Sequence, residues 1–194
     1  MLAADLSGGF TDEPRQAAHA FRAIMEAMAR PGTIRTLAGA APPPPLSPAA
    51  GAVLLSLLDG DTPLHLAGDA DCGALRMWLA FHTGAPLVGR AECLFAVGTW
   101  EALGPLTDYP AGTPDHPDRS ATLIVEHPGL APAGTPMRGP GIRGVAELAL
   151  PDPEALCANA ARYPLGLDFI FTCGTRLAAL PRSTRLGDPA EGEV

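Results

Sequence analysis

The segment PLGLDFIFTCGTRLAALPRST, residues 164 to 184, restricts the fold more than any other part of the chain. Leu167 to Thr172 is a short continuous apolar run that contains a single carboxylate, Asp168. Cys173-Gly174 ends the run where the chain must reverse, and Leu177 to Leu180 resumes it. A run of this length bounded by turn residues reads as a strand buried on both faces, followed by a second strand folded back beside it. A carboxylate in such a strand requires a partner, and Arg176 and Arg182 lie within the same unit.

The rest of the chain alternates helical and extended patterns. Thr11-Asp12-Glu13-Pro14 opens a helix over 14–30, with Ala17, Phe21, Ile24, Met25 and Met28 at helical spacing and Pro31-Gly32 at its end. Its other face carries Arg15, His19, Arg22, Glu26 and Arg30. A strand over 33–37 and a proline-rich loop to Pro45 follow. Ser47-Pro48 then starts an almost wholly apolar helix over 49–58, of the kind that belongs inside a layer or an interface. Further elements are a strand over 62–67, a helix over 71–82, a buried strand over 93–99, a helical turn over 100–103, a long polar loop over 109–120, a strand over 121–126, a strand near 135–138 and a helix over 153–161. Strands that alternate with helices predict a three-layer α/β/α sandwich, and the closing strand pair makes its sheet mixed. With 194 residues, one domain is expected, with a globular core over 14–185 and flexible residues at 1–13 and 186–194.

Composition excludes several classes of chemistry. All 13 basic side chains are arginine and there is no lysine. No Schiff base and no Walker A loop is therefore available. A net charge of −8 argues against nonspecific nucleic-acid binding, which needs a broad cationic face. The four cysteines, at 72, 93, 157 and 173, are far apart, with no CxxC and no Cys/His pair at zinc spacing, so no metal site is expected. No stretch has signal-peptide or membrane-spanning character, which points to the cytoplasm.

No GxSxG, GxGxxG or HExxH motif is present, and the sequence names no nucleophile. Three features carry two readings each. His82 at a helix end reads as a general base or as a satisfied core or capping residue. His116, between Asp115 and Asp118, reads as a ligand contact or as ordinary loop composition. GPGIRG, residues 139–144, reads as an anion-binding turn flanked by Arg138 and Arg143, or as a plain turn between strands. The candidate anion site that results comprises Arg22, His82, Arg143, Asp168, Arg182 and Thr184, with no catalytic residue assigned.

Several blocks in order, FRAIMEAMARPG at 21–32, DGDTPLHLA at 59–67, FHTGAPLV at 81–88, GTPDHPDRSATLIVE at 112–126, GPGI at 139–142 and the closing segment, resemble the PhnH family of the bacterial carbon-phosphorus lyase machinery. Pro181-Arg182-Ser183-Thr184 departs from the family pattern, which usually has a second threonine there. The resemblance implies a fold similar to the large domain of pyridoxal-phosphate-dependent transferases but without that cofactor. It implies a homodimer in isolation and partnership with G, I and J subunits. With an ATPase-like L subunit, the G, H and I subunits support transfer of a ribose triphosphate unit from ATP to methylphosphonate, releasing adenine, while the radical-SAM J subunit cleaves the carbon-phosphorus bond. An H-type chain is then an accessory subunit for assembly or substrate binding. The competing expectation is an independent cytoplasmic phosphotransferase that binds phosphate or nucleotide.

Overall fold

The computed structural model describes residues 6–187. In chain order the elements are α1 (Glu13–Ala29), β1 (Arg35–Thr36), α2 (Pro48–Leu57), β2 (Leu64–Leu66), α3 (Gly73–His82), β3 (Phe95–Thr99), α4 (Trp100–Leu103), β4 (Ala111–Thr113), β5 (His116–Ser120), β6 (Thr122–Glu126), β7 (Thr135–Arg138), β8 (Ala146–Leu148), α5 (Pro153–Ala160), β9 (Asp168–Cys173), β10 (Arg176–Leu180) and β11 (Arg185–Leu186). Six strands form the main sheet in the order β1-β10-β9-β6-β3-β2. β2, β3, β6 and β9 are mutually parallel, while β10 and β1 add antiparallel neighbours, so the sheet is mixed as expected. A second sheet, β11-β7-β8, is antiparallel, and β4 and β5 form a separate hairpin.

Alternation along the strands divides the core into two layers. Ile170 of β9, Ile124 of β6, Val97 of β3 and Leu177 and Ala179 of β10 point to one face and pack with α1, α2 and α3. Phe169 and Phe171 point to the other, where Leu103 of α4, Leu156 of α5, Met137 of β7 and Leu148 of β8 cover them. The first outer layer is helical. The second combines the short helices α4 and α5 with β7 and β8 of the small sheet.

Local chemistry sets the helix starts. Ser47 Oγ accepts from Ala50 N at 3.2 Å, and Asp152 Oδ1 accepts from Ala155 N at 3.0 Å, with proline at the first turn of both α2 and α5. The all-apolar α2 buries every residue from Ala49 to Leu54, as a helix with no polar face requires. α2 starts at the carboxyl ends of the parallel strands, where Ser47 N donates to Glu126 Oε1 at 2.6 Å and Ala49 N to Gly174 O at 2.9 Å.

Three sequence expectations change. α1 buries Ala20, Ile24 and Ala27 rather than the stripe containing Phe21 and Met25, which are 48% and 55% exposed. The three alanine-sized and branched residues let α1 lie close against α2, which leaves the larger side chains outside. The polar stretch 109–120 contains the β4–β5 hairpin, and β8 and β11 were not foreseen. Of the segments expected to be flexible, residues 1–5 and 188–194 lie outside the described residues. Residues nearer the core are placed: Trp78 Nε1 donates to Ser7 O at 2.9 Å, and Arg185–Leu186 pair with β7.

Candidate functional site

A surface cleft lies at the amino end of β9, with a volume of about 700 Å³. α1 supplies Ile24, Met25, Met28 and Ala29, and β5 supplies Pro117 and Asp118. The β7–β8 loop contributes Pro140 and Gly141, the approach to β9 contributes Tyr163 and Pro164, and Asp168 with Pro181, Arg182 and Ser183 completes the wall. Gly141 is required where it stands. Its φ is +80°, and a Cβ there would meet Ala29 O at 1.9 Å, so the loop seats directly on the last turn of α1. This part of GPGIRG is thus the connection of a β-hairpin and also cleft wall.

Asp168 and Arg182 form the polar element of the wall, each 15% exposed. Asp168 Oδ1 accepts from the backbone N–H of Arg182 at 2.8 Å and from Nε at 3.2 Å, while Oδ2 accepts from Nη2 at 2.5 Å. Nη1 donates to the carbonyl of Pro117 at 2.6 Å. The guanidinium therefore engages the start of β9, the end of β10 and the hairpin at once, and the carboxylate has its counter-ion. Arg176, the other partner open to Asp168 on sequence grounds, donates instead to Leu130 O at 3.2 Å.

The remaining candidates are dispersed. Arg22 is exposed on α1, and Arg143 is exposed in the β7–β8 loop; neither lines the cleft. Thr184 is buried, and its Oγ1 has no hydrogen-bond partner among the described residues. His82 stands elsewhere: Nε2 donates to Leu6 O at 3.0 Å, and its ring packs against Trp78 and Phe81. It ties the residues before α1 to α3. His116 is exposed on β5, where its backbone N–H donates to Thr113 Oγ1 at 3.2 Å.

Sequence reasoning missed the apolar mouth of the cleft, where Met25 and the 63%-exposed Tyr163 stand. It also missed Glu126, at the opposite end of the sheet. Burial pushes this carboxyl up from its ordinary range, against the opposing effect of hydrogen bonds from Ser47 and Thr172. A carboxylate closing an apolar strand just before His127-Pro128-Gly129 was the available signal. A smaller cavity of about 390 Å³ lies between α4 and α5, lined in part by Trp100, Leu106 and Arg162. Its polar residues Asp152 and Asn159 are engaged in the α5 cap and in two bonds to the backbone of Leu167.

Among the described residues no three His, Cys, Asp or Glu side chains gather where they could hold a metal ion, and no helix is long and apolar enough to cross a membrane. The fold and cleft define a mixed-sheet α/β protein whose candidate site is an apolar surface recess braced by one ion pair. The family model described as bacterial phosphonate metabolism protein (PhnH) matches residues 8–187. The alpha-D-ribose 1-methylphosphonate 5-triphosphate synthase subunit PhnH of Rhizobium meliloti (strain 1021) is 41% identical over 190 residues, covering 93% of this chain and 94% of the relative. The chain belongs to the PhnH family.

Proposed function

We propose that this chain is the PhnH-type subunit of an alpha-D-ribose 1-methylphosphonate 5-triphosphate synthase, with an assembly or substrate-holding role beside G-, I- and J-type subunits in the cytoplasm. The observation that carries the reading is the match through nearly the whole chain to a relative bearing that name. The site is compatible with it. The ion pair in the cleft wall is internally satisfied, and the wall is lined mainly by proline, methionine and isoleucine side chains, chemistry suited to contact rather than to bond cleavage. The exposed Phe21 and Met25 of α1 extend the same apolar surface outward. A likeness to the large domain of pyridoxal-phosphate-dependent transferases and a homodimeric free state belong to the same reading.

The test is affinity purification of the tagged chain from phosphate-starved cells growing on methylphosphonate. Recovery of the other lyase subunits is expected. Their absence from the purified material overturns the assignment. Phe21→Glu combined with Met25→Glu is expected to reduce that recovery while the variant remains folded.

A further inference from the structure

Arg138, the last residue of β7, and Arg185, the first of β11, are direct partners in the antiparallel register of the small sheet. Side chains opposed in this way leave their strands on the same face with Cβ atoms about 5 Å apart, and like charges so placed repel. Neither arginine has a carboxylate partner among the described residues. Of the 13 arginines only Arg15, Arg35, Arg76, Arg90 and Arg182 have one, so what sets Arg138 and Arg185 apart is that two unpaired arginines stand opposite each other. The one carboxylate in the three strands, Glu147, stands opposite Pro136, and its Oε2 accepts from Gly134 N at 3.3 Å. The pair is not a by-product of a basic surface, because the chain carries a net charge of −8.

A second observation concerns the Nε of Arg138. It is buried and has no acceptor among the described residues. A buried guanidinium N–H without an acceptor is costly; Arg35 Nε shares this state, but its guanidinium has Glu26 as counter-ion, whereas that of Arg138 has none among the described residues. Two arginines at opposed positions on one face, one of them with a buried N–H short of an acceptor, are placed to take an anion between them.

We infer that Arg138 and Arg185 form a binding site for a phosphate or phosphonate dianion, either free or as a group on a larger small molecule. A tetrahedral dianion offers a different pair of oxygens to each guanidinium and two charges to balance the two arginines. A carboxylate has only two oxygens and one charge, which a single arginine satisfies. The location adds reach. Pro140 lies two residues after Arg138 and Ser183 two residues before Arg185, so the pair borders the cleft wall. This inference concerns ligand binding by the isolated chain and does not depend on which complex the chain joins.

The experiment is titration calorimetry at low salt, with thermal unfolding in parallel, on the full chain with inorganic phosphate, methylphosphonate, tripolyphosphate, ATP and, as a carboxylate control, acetate. The variants are Arg185→Gln, which alters an exposed side chain and leaves the core untouched, Arg138→Gln, the double variant, and Arg15→Gln as a charge-matched control on α1. Phosphate or methylphosphonate is expected to bind and to raise Tm. Arg185→Gln should weaken binding by about tenfold or more, the double variant little further, and Arg15→Gln by less than about twofold. Preference for tripolyphosphate or ATP over inorganic phosphate, lost in the same variants, would assign the site to the phosphoryl group of a larger molecule. Absence of binding, binding unaffected by Arg185→Gln, equal weakening by Arg15→Gln, or equal affinity for acetate overturns the inference.

Discussion

Arg182 binds Asp168 through its backbone N–H, Nε and Nη2, and its Nη1 reaches the carbonyl of Pro117. One side chain thereby fastens the first residue of β9, the turn after β10 and the β4–β5 hairpin, three segments separated in sequence.

Asp168→Ala would leave the guanidinium mostly buried and without its counter-ion. Removing one member of a buried pair costs about 3 kcal/mol. The expected result in urea unfolding is a loss of that order for Asp168→Ala. The double variant Asp168→Ala/Arg182→Met should be less destabilised than the sum of the two single changes.

Gly141→Ala tests the seat of the β7–β8 loop on α1. The new methyl would have to displace the Ala29 carbonyl and also adopt a positive φ. A loss of about 2–3 kcal/mol is expected. Increased proteolysis between Arg138 and Val145 should accompany it if the loop lifts off the helix.

Glu126 gives a pH dependence whose sign can be worked out. Burial raises its pKa in the folded state, so the native protein holds the proton to higher pH than the unfolded chain does. Its contribution to stability is full below the ordinary glutamate pKa of about 4.3 and is lost as pH rises through the folded value. Glu126→Gln removes this slope and keeps an oxygen to accept from Ser47 N. The variant should therefore gain stability relative to the wild type as pH rises from 4 toward 7, as measured by urea midpoints. A wild type and variant that run parallel across that range would contradict the assignment.

Thiol chemistry should separate the cysteines. Burial pushes Cys93 up to about 11, and its Sγ lies 3.2 Å from the Arg90 carbonyl oxygen, while Cys157 is exposed. At pH 8 an aromatic disulfide reagent should modify Cys157 rapidly, and Cys93 only after denaturant is added. Mass mapping of the labelled peptides distinguishes the two.

Several elements were legible from local signals. Ser47-Pro48, Asp152-Pro153 and Pro31-Gly32 mark helix ends by chemistry that acts within one turn, and each observed end falls within a residue or two of the expected one. Asp168 was recognisable as a paired group because an apolar strand cannot hold an isolated charge. The β4–β5 hairpin was not legible, since Pro114, Asp115, Pro117 and Asp118 leave it without an apolar face. The burial of α1 was misread for a different reason: small alanines at 20 and 27 set the contact distance, and a hydrophobicity pattern gives priority to Phe21 and Met25. Arg138 facing Arg185 depends on register between strands distant in sequence, for which no local spacing carries a signal.

In open parallel sheets the crevice that receives ligands usually lies beyond the carboxyl ends of the strands. Here the start of α2 stands at the carboxyl ends of β6 and β9, where the Ser47–Ala49 backbone is bonded to Glu126 and Gly174. The cleft of about 700 Å³ is on the reverse rim, at the amino end of β9, so a search that starts from sheet direction alone would look at the wrong edge.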